Sequence, residues 1–445
     1  MNRRRHSRLR QRARKYGSIA GVGILPMIFI WWIFGSAPVE PPQPEKATTP
    51  APPPPPPDSI TRVEGWIPYW GDPVGTTRSA IAAGFTDLLF FGATLASDGK
   101  MKLDRHTYMK RAIDLAHESG VSSWLTVTNH GKSLAKVLVP NKRKQLVDRI
   151  IATFKASGCK HLDLDLETLT GAQWKELPHL AVALREKLPK QARLSMTLQP
   201  ADTKLRPWAV PHVKSMLQDP GIFVVRFMCY DYHWRTSLPG ALYSRPAFNR
   251  LLDCYKGHEE KLCMALPLYG YDWPRPENVS VPSAKVVTMS ELPEFTALAG
   301  VKVKWMEEEG ELAVVCQDGD LPRMAAVPSL RTIADRSEIA RQRGLTSVAF
   351  WHLGCGRLAS VRNAIRPGEN WKEDPKAIPT ASWASVLDPY KKKNCRAIIA
   401  KPTDSFATLA KQHRVSASAL YLFNEHLTDR TMKGKTVYLP LAKIE

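Results

Sequence analysis

No CxxC pair occurs in this chain of 445 residues, although it holds seven cysteines. That absence excludes the common zinc-ribbon and dithiol redox sites. Cys159, Cys229 and Cys263 lie inside apolar strand-like runs and read as small core residues. Cys254, Cys316, Cys355 and Cys395 show no paired spacing, and a disulfide among them stays open for an exported chain. Metal and nucleotide motifs are missing too. His258-Glu259-Glu260 lacks the second histidine of a zinc-protease helix. Gly92 to Lys100 contains a Gly-Lys pair at the wrong spacing for a phosphate loop, with Met101 where a hydroxyl residue is needed. No zinc-finger, RNP or other nucleic-acid signature is present. No metal, cofactor or nucleic-acid partner is therefore expected, and any chemistry must come from ordinary side chains.

Acids are absent from residues 1–15, which carry eight of the positive charges in a chain of net charge +21. A basic body of this kind favours anionic wall polymers or a membrane surface. Gly17 to Phe34 follows without any charge and includes Ile28, Phe29, Ile30, Trp31, Trp32 and Ile33. Such a run is long enough to span a bilayer, with the basic flank kept in the cytoplasm. The expectation is a basic tail (1–16), a single-pass inner-membrane anchor (17–35) and a body outside the cytoplasm. Cleavage near Gly35-Ser36-Ala37 is the alternative, and it would give a secreted chain. Residues 36–60 include the run Pro52 to Pro57 and read as an extended spacer. Asn278-Val279-Ser280 is a glycosylation sequon if the host glycosylates there.

What is present between residues 61 and 366 is a repeated unit: helix pattern, glycine, apolar strand. Gly84, Gly120, Gly158 and Gly344 each precede such a strand, as glycine just past a helix end does. Eight candidate strands follow: Gly65–Trp70, Phe85–Phe91, Ser123–Val127, His161–Glu167, Arg193–Leu198, Val224–Tyr230, Leu262–Pro267 and Ser347–Trp351. They predict an α/β fold, a (β/α)8 TIM barrel, whose chemistry sits at the C-terminal strand ends. Residues 280–330 exceed one connection and read as a small β-containing insertion before the eighth strand, with Val301–Trp305 and Leu312–Cys316 strand-like. In the fourth strand Asp163, Asp165 and Glu167 alternate with leucines and so share one face. Crowded buried carboxylates favour keeping one member protonated, as a general acid requires. Tyr69, Trp70, Tyr230, Asp231, Tyr269 and Trp351 also fall at strand ends, a set suited to carbohydrate because sugars stack on aromatic rings.

These motifs resemble glycoside hydrolase family 18, in its spore-cortex-lytic branch of LysM-bearing N-acetylglucosaminidases. Asp163-x-Asp165-x-Glu167 matches the DxDxE signature, and Met228-Cys229-Tyr230-Asp231 is similar to the sixth-strand MxYD motif. Leu266-Pro267-Leu268-Tyr269-Gly270-Tyr271-Asp272-Trp273 and Ala349-Phe350-Trp351-His352 resemble the seventh- and eighth-strand ends. The resemblance implies substrate-assisted retaining hydrolysis. It makes Glu167 the acid, Asp165 the group that orients the substrate's acetamide, and Asp163 the group behind it. It also implies that Tyr230 donates to the acetamide oxygen, with Asp231 on the sugar and Trp351 as the floor. Met228, Tyr69, Trp70 and Tyr269 complete the expected substrate contacts. Lys160 and His161 depart from the family's usual Asp-Gly, and positive charge on His161 would lower the acids' pKa values and weaken the general acid.

After a second linker at 367–394, residues 395–441 resemble a LysM module. Its strands are expected at Ala397–Ala400 and Thr436–Leu439 and its helices at Phe406–His413 and Ala417–Phe423, capped by Asp404 or Ser405 and by Ser416. Thr403-Asp404-Ser405-Phe406 stands where the module usually has Gly-Asp-Thr-Leu. The expected partner is peptidoglycan or another N-acetylglucosamine-containing glycan. A chitinase, or a catalytically silent wall-binding scaffold, is the alternative.

Overall fold

The computed structural model describes residues 60–440 apart from 238, 274–283, 299, 317–322, 367–374, 384, 387–394, 416–419, 421–423, 425–426 and 428–430. The basic tail, the apolar anchor, nearly all of the proline-rich spacer, the Asn278 sequon, the Ser416 cap and most of the helix expected at Ala417–Phe423 lie outside the described residues. No helix among the described residues is long and apolar enough to cross a membrane.

Eight parallel strands form a closed barrel: β1 (Arg62–Pro68), β2 (Asp87–Leu95), β3 (Ser122–Thr128), β4 (His161–Asp165), β5 (Leu194–Leu198), β6 (Ile222–Met228), β7 (Leu262–Pro267) and β8 (Ser347–Trp351). Closure comes from β1, where Glu64 pairs in register with Asp87 of β2 on one side and Ala349 of β8 on the other. The expected (β/α)8 barrel is the observed one. Helices at 73–82, 106–118, 143–157, 171–187, 210–218, 245–254 and 330–342 connect the strands. The helix Arg143–Ser157 ends at Gly158, whose φ of +78° turns the chain into β4.

The pleat divides the side chains into two cores. Leu162 and Leu164 join the large cluster between strands and helices. A separate cluster of Trp66, Leu89, Phe91, Trp124, Val224, Cys263, Ala265 and Ala349 fills the barrel lumen. Buried among the lumen residues are Glu64, Asp163 and Arg226, all without solvent exposure. Cys159, Cys229 and Cys263 are buried, as their apolar surroundings predict, and with Cys254 and Cys355 they are free thiols.

The insertion begins earlier than its sequence suggests. Tyr269–Trp273 leaves β7 and enters a six-stranded sheet in the order 285–288, 269–273, 323–327, 311–316, 301–306, 378–380. Val287, Leu292, Trp305, Leu312, Val314, Ala325 and Val327 give this sheet its own core. Gly270 is required by close packing, since a Cβ there would lie 1.9 Å from the Ala326 carbonyl oxygen. The last strand, Ile378–Thr380, pairs in parallel with Val301–Met306, and Trp383 is buried in the main core. Part of the expected 367–394 linker is therefore folded chain, because the backbone of 378–380 completes the sheet edge and Trp383 finds a buried site that the proline content obscured.

Residues 395–440 contain an antiparallel pair, Cys395–Ile399 with Thr436–Pro440, and the helix Phe406–His413 capped by Ser405. Phe406, Leu409, Leu420, Met432, Val437 and Leu439 make a small separate core. Asn424, fully buried, donates to the Leu420 and Tyr438 carbonyls at 2.7 and 2.8 Å and accepts from the Tyr438 N–H at 2.8 Å.

Candidate active site

The acid row rises from the lumen floor to an open cleft. Asp163 lies deepest. It accepts from Ser195 Oγ at 2.7 Å, Thr197 Oγ1 at 3.0 Å, Thr126 Oγ1 at 3.1 Å and Arg226 Nη1 at 3.1 Å. Arg226 Nε also donates to Glu64 at 2.6 Å, and its guanidinium stands 4.9 Å from the centre of the Trp124 ring. Three strands that never touch in the sheet are thus tied across the lumen by one cation.

Asp165, one pleat higher, is in a different position. Burial pushes its carboxyl well above the usual range, and the negative charges of Glu167 and Asp163 add to the shift against a hydrogen bond from Thr128. Its Oδ1 is buried and has no hydrogen-bond partner among the described residues. A buried acceptor left open costs free energy unless a ligand fills it.

Glu167 lies beyond the strand. The ladder ends at Asp165, not at Glu167, because the Glu167 backbone bonds to a side chain. Asn129 Nδ2 donates to the Glu167 carbonyl at 2.9 Å, and the Glu167 N–H donates to Asn129 Oδ1 at 2.8 Å. This amide imitates a neighbouring strand and fixes where the acid stands. Thr168 follows with φ +56°, turning the chain away. Burial, then the charge of Asp231, raises the Glu167 pKa.

Asp231 is also past its strand end, with φ +56°. Its Oδ1 accepts from Tyr269 Oη at 2.8 Å and Tyr271 Oη at 3.0 Å. Tyr230 keeps its proton, because burial and then the charges of Asp165 and Glu167 raise its pKa far above the usual value. The acid must be protonated to act, so activity falls as pH rises through the Glu167 pKa. Asp231→Asn removes the charge and keeps an acceptor for both tyrosines, so the Glu167 pKa drops. The alkaline limb of the kcat/KM profile on a soluble oligosaccharide is expected to move to lower pH, and an unmoved limb would rule out this coupling.

The cleft encloses about 590 Å³, within the range of small-molecule sites. Of the residues expected from sequence, it brings together Asp165, Glu167, Met228, Tyr230, Asp231 and Trp351. Asp163 lies beneath them, and Tyr269 acts from behind through Asp231. Trp70, 46% exposed, stands edge-on to Trp351 at 6.1 Å, and Tyr69 packs against Trp70 outside the lining. Sequence reasoning missed Trp66 and Phe91 in the aromatic floor, Tyr232 and Trp234 at the mouth (55% and 52% exposed), and Arg206 and Tyr243 in the wall. A larger groove of about 850 Å³ between the helices near Arg245 and Arg341 is lined by ion pairs such as Arg245–Asp335 and Arg341–Glu338.

His161 does point inward, tilted against Trp124 with ring centres 4.6 Å apart. The expected positive charge is nevertheless missing. Burial, then the Arg193 cation, pushes its pKa down to about 4. Its Nδ1 accepts from the Arg193 N–H at 3.2 Å, which uses the neutral ring. At about 3.3 Å per residue it also sits roughly 13 Å below Asp165 along the strand. His161 is neutral at working pH and leaves the acid intact.

A closed (β/α)8 barrel carrying a crowded acid row and aromatic walls at its C-terminal rim defines a carbohydrate-cleaving enzyme. Residues 66–355 match glycosyl hydrolases family 18, and the chain belongs to that family as one of its glycosidases. It is 23% identical over 277 residues to an uncharacterized glycosylase, YvbX, of Bacillus subtilis, covering 58% of this chain and 78% of that one. A cortical fragment-lytic enzyme of Bacillus anthracis is 20% identical over 301 residues, covering 65% and 69%. In fold the chain is similar to the spore cortex-lytic enzyme SleL of Bacillus cereus (TM-score 0.59, 19% identity, 72% of this chain and 75% of that one). It is similar also to a chitinase from Chromobacterium violaceum (TM-score 0.60, 14% identity, 69% and 99%).

Proposed function

We propose that this glycosidase cleaves β-1,4 bonds after N-acetylglucosamine in peptidoglycan, with retention, using the substrate's own acetamide oxygen as nucleophile. The observation that carries the reading is the open Oδ1 of Asp165, buried beside Glu167. An acetamide N–H placed there satisfies the orphan acceptor and turns the acetamide oxygen toward the anomeric carbon. Glu167 gives its proton to the leaving glycosidic oxygen as the C–O bond breaks and the acetamide oxygen bonds to carbon. Water then attacks the oxazolinium, and the Glu167 carboxylate takes its proton. Tyr230, held as an O–H donor, stabilises the acetamide oxygen, and Trp351 and Trp66 supply the floor. Asp231 is held in the cleft wall by Tyr269 and Tyr271, which both donate to its Oδ1.

Residues 395–441 act, in this reading, as a LysM module that holds the same glycan. The paired strands, the Ser405-capped helix and the separate core support it. The apolar run Gly17 to Phe34 anchors the chain in the inner membrane with both parts outside the cytoplasm, a proposal that rests on sequence alone. Digestion of purified peptidoglycan and of chitooligosaccharides by the full-length chain, read by mass spectrometry, is the test. Muropeptides ending in reducing N-acetylglucosamine are expected. Release from chitooligosaccharides alone would make it a chitinase, and binding to both without products would leave a silent scaffold.

A further inference from the structure

The cleft wall after β5 carries a second chemistry that hydrolysis does not use. Asp165, Glu167 and Asp231 make the cleft acidic, and Arg206 is the single positively charged residue among the described residues lining it. Its backbone is left-handed (φ +51°) where the loop turns into Pro207. Nη1 donates to the Pro200 carbonyl at 2.9 Å, and no described carboxylate pairs with the guanidinium. Arginine presents five N–H donors and stays charged at any working pH, so most of this fork is unused. Burial works against its charge.

Tyr243 belongs to the same wall. It is 2% exposed, and its buried hydroxyl has no partner among the described residues. Burial raises its pKa far above the usual value, so it remains an O–H donor. Both residues line the same cleft, and the Tyr243 phenol is one of the influences on the Arg206 charge. An unpaired guanidinium and an unpaired phenol are both costly when desolvated. A carboxylate satisfies both, accepting two parallel N–H bonds and one O–H bond.

We infer that Arg206 and Tyr243 form a carboxylate subsite, so that the cleft prefers N-acetylglucosamine polymers whose neighbouring sugars bear an acidic substituent over uncharged ones. The inference rests on the proposed glycan substrate and names its class. The chain beyond the basic tail also keeps a net positive charge, which favours the same anionic polymer. Two sources supply the chemistry: a lactyl carboxylate ether-linked to the sugar of a stripped strand, or a carboxylate of an attached peptide.

Calorimetry on the full-length Glu167→Gln protein tests it with three probes: chitotetraose, a peptide-free tetrasaccharide alternating N-acetylglucosamine with N-acetylmuramic acid, and the same tetrasaccharide bearing peptides. An acidic probe is expected to bind more tightly than chitotetraose. The ratio of the two affinities should fall about tenfold in Arg206→Gln, as loss of a charge-assisted bond predicts. A smaller fall is expected in Tyr243→Phe, which removes only the unpartnered hydroxyl and keeps the packing if the arginine variant unfolds. Preference for the peptide-free probe assigns the lactyl group, and preference for the other assigns the peptide. Equal affinities for charged and uncharged probes in the parent would overturn the subsite, as would an unchanged ratio in folded variants. Binding needs no turnover, so the subsite and the hydrolytic reading fail separately.

Discussion

Glu167→Gln is expected to lower kcat on peptidoglycan fragments about a thousandfold, within the span of one general acid, with KM nearly unchanged. Gln matches the shape of a protonated carboxyl but has no proton to give. The substitution also spares what positions the side chain, because Asn129 holds residue 167 through its main-chain N–H and C=O. Binding is therefore retained, and the loss falls on the chemical step alone. Steady-state kinetics with a soluble oligosaccharide, beside calorimetry on the same variant, separate the two. A variant keeping more than about a tenth of wild-type kcat would show that Glu167 is not the acid. Loss of binding together with rate would make residue 167 a structural support of the cleft.

The alternation of acids with leucines in 161–167 was legible because a strand buried on both faces must separate its polar and apolar side chains by parity. The barrel was legible for a related reason: glycine-capped helices feeding apolar strands recur along the chain. Asn129 carries no such signal. It stands 38 residues before its partner, and only the pairing of β3 with β4 brings the two together. Arg226 and Glu64 were hidden within apolar strand runs, since nothing local says that β1, β4 and β6 face one another across a lumen. Arg206 and Tyr243 come from two different loops. The sign of the His161 effect depended on solvation that no pattern of letters records: the residue faces inward as expected, and burial beside Arg193 removes the charge that made it a concern. Tyr269 read as a rim residue, while its strand opens the insertion sheet and its hydroxyl reaches the site through Asp231.

Arg226→Met is expected to destabilise the protein by about 3–5 kcal/mol at pH 8, the usual consequence of removing one partner from a buried ion network. Arg226 has no solvent exposure and holds Glu64 and Asp163, neither of which can reach water. Burial already raises the Glu64 pKa, with Arg226 the largest opposing influence and Arg62 the next. Without the guanidinium that pKa rises further. A carboxyl whose folded pKa lies above its unfolded value contributes stability at low pH and loses it as pH rises through the folded value. The variant's deficit in urea unfolding should therefore shrink between pH 8 and pH 5. Adding Glu64→Gln should recover part of the loss, a coupling that independent sites would not show. A single variant within about 1 kcal/mol of wild type at pH 8 would sink the argument, because a buried pair broken by truncation does not cost so little. The same cation bears on catalysis. Asp163 is one of the influences that raise the Asp165 pKa, so the arginine that ties three strands together also holds in place the carboxyl beneath the residue that must meet the substrate. Stability and proton placement are then two consequences of one buried guanidinium, and the fold cannot lose the first without disturbing the second.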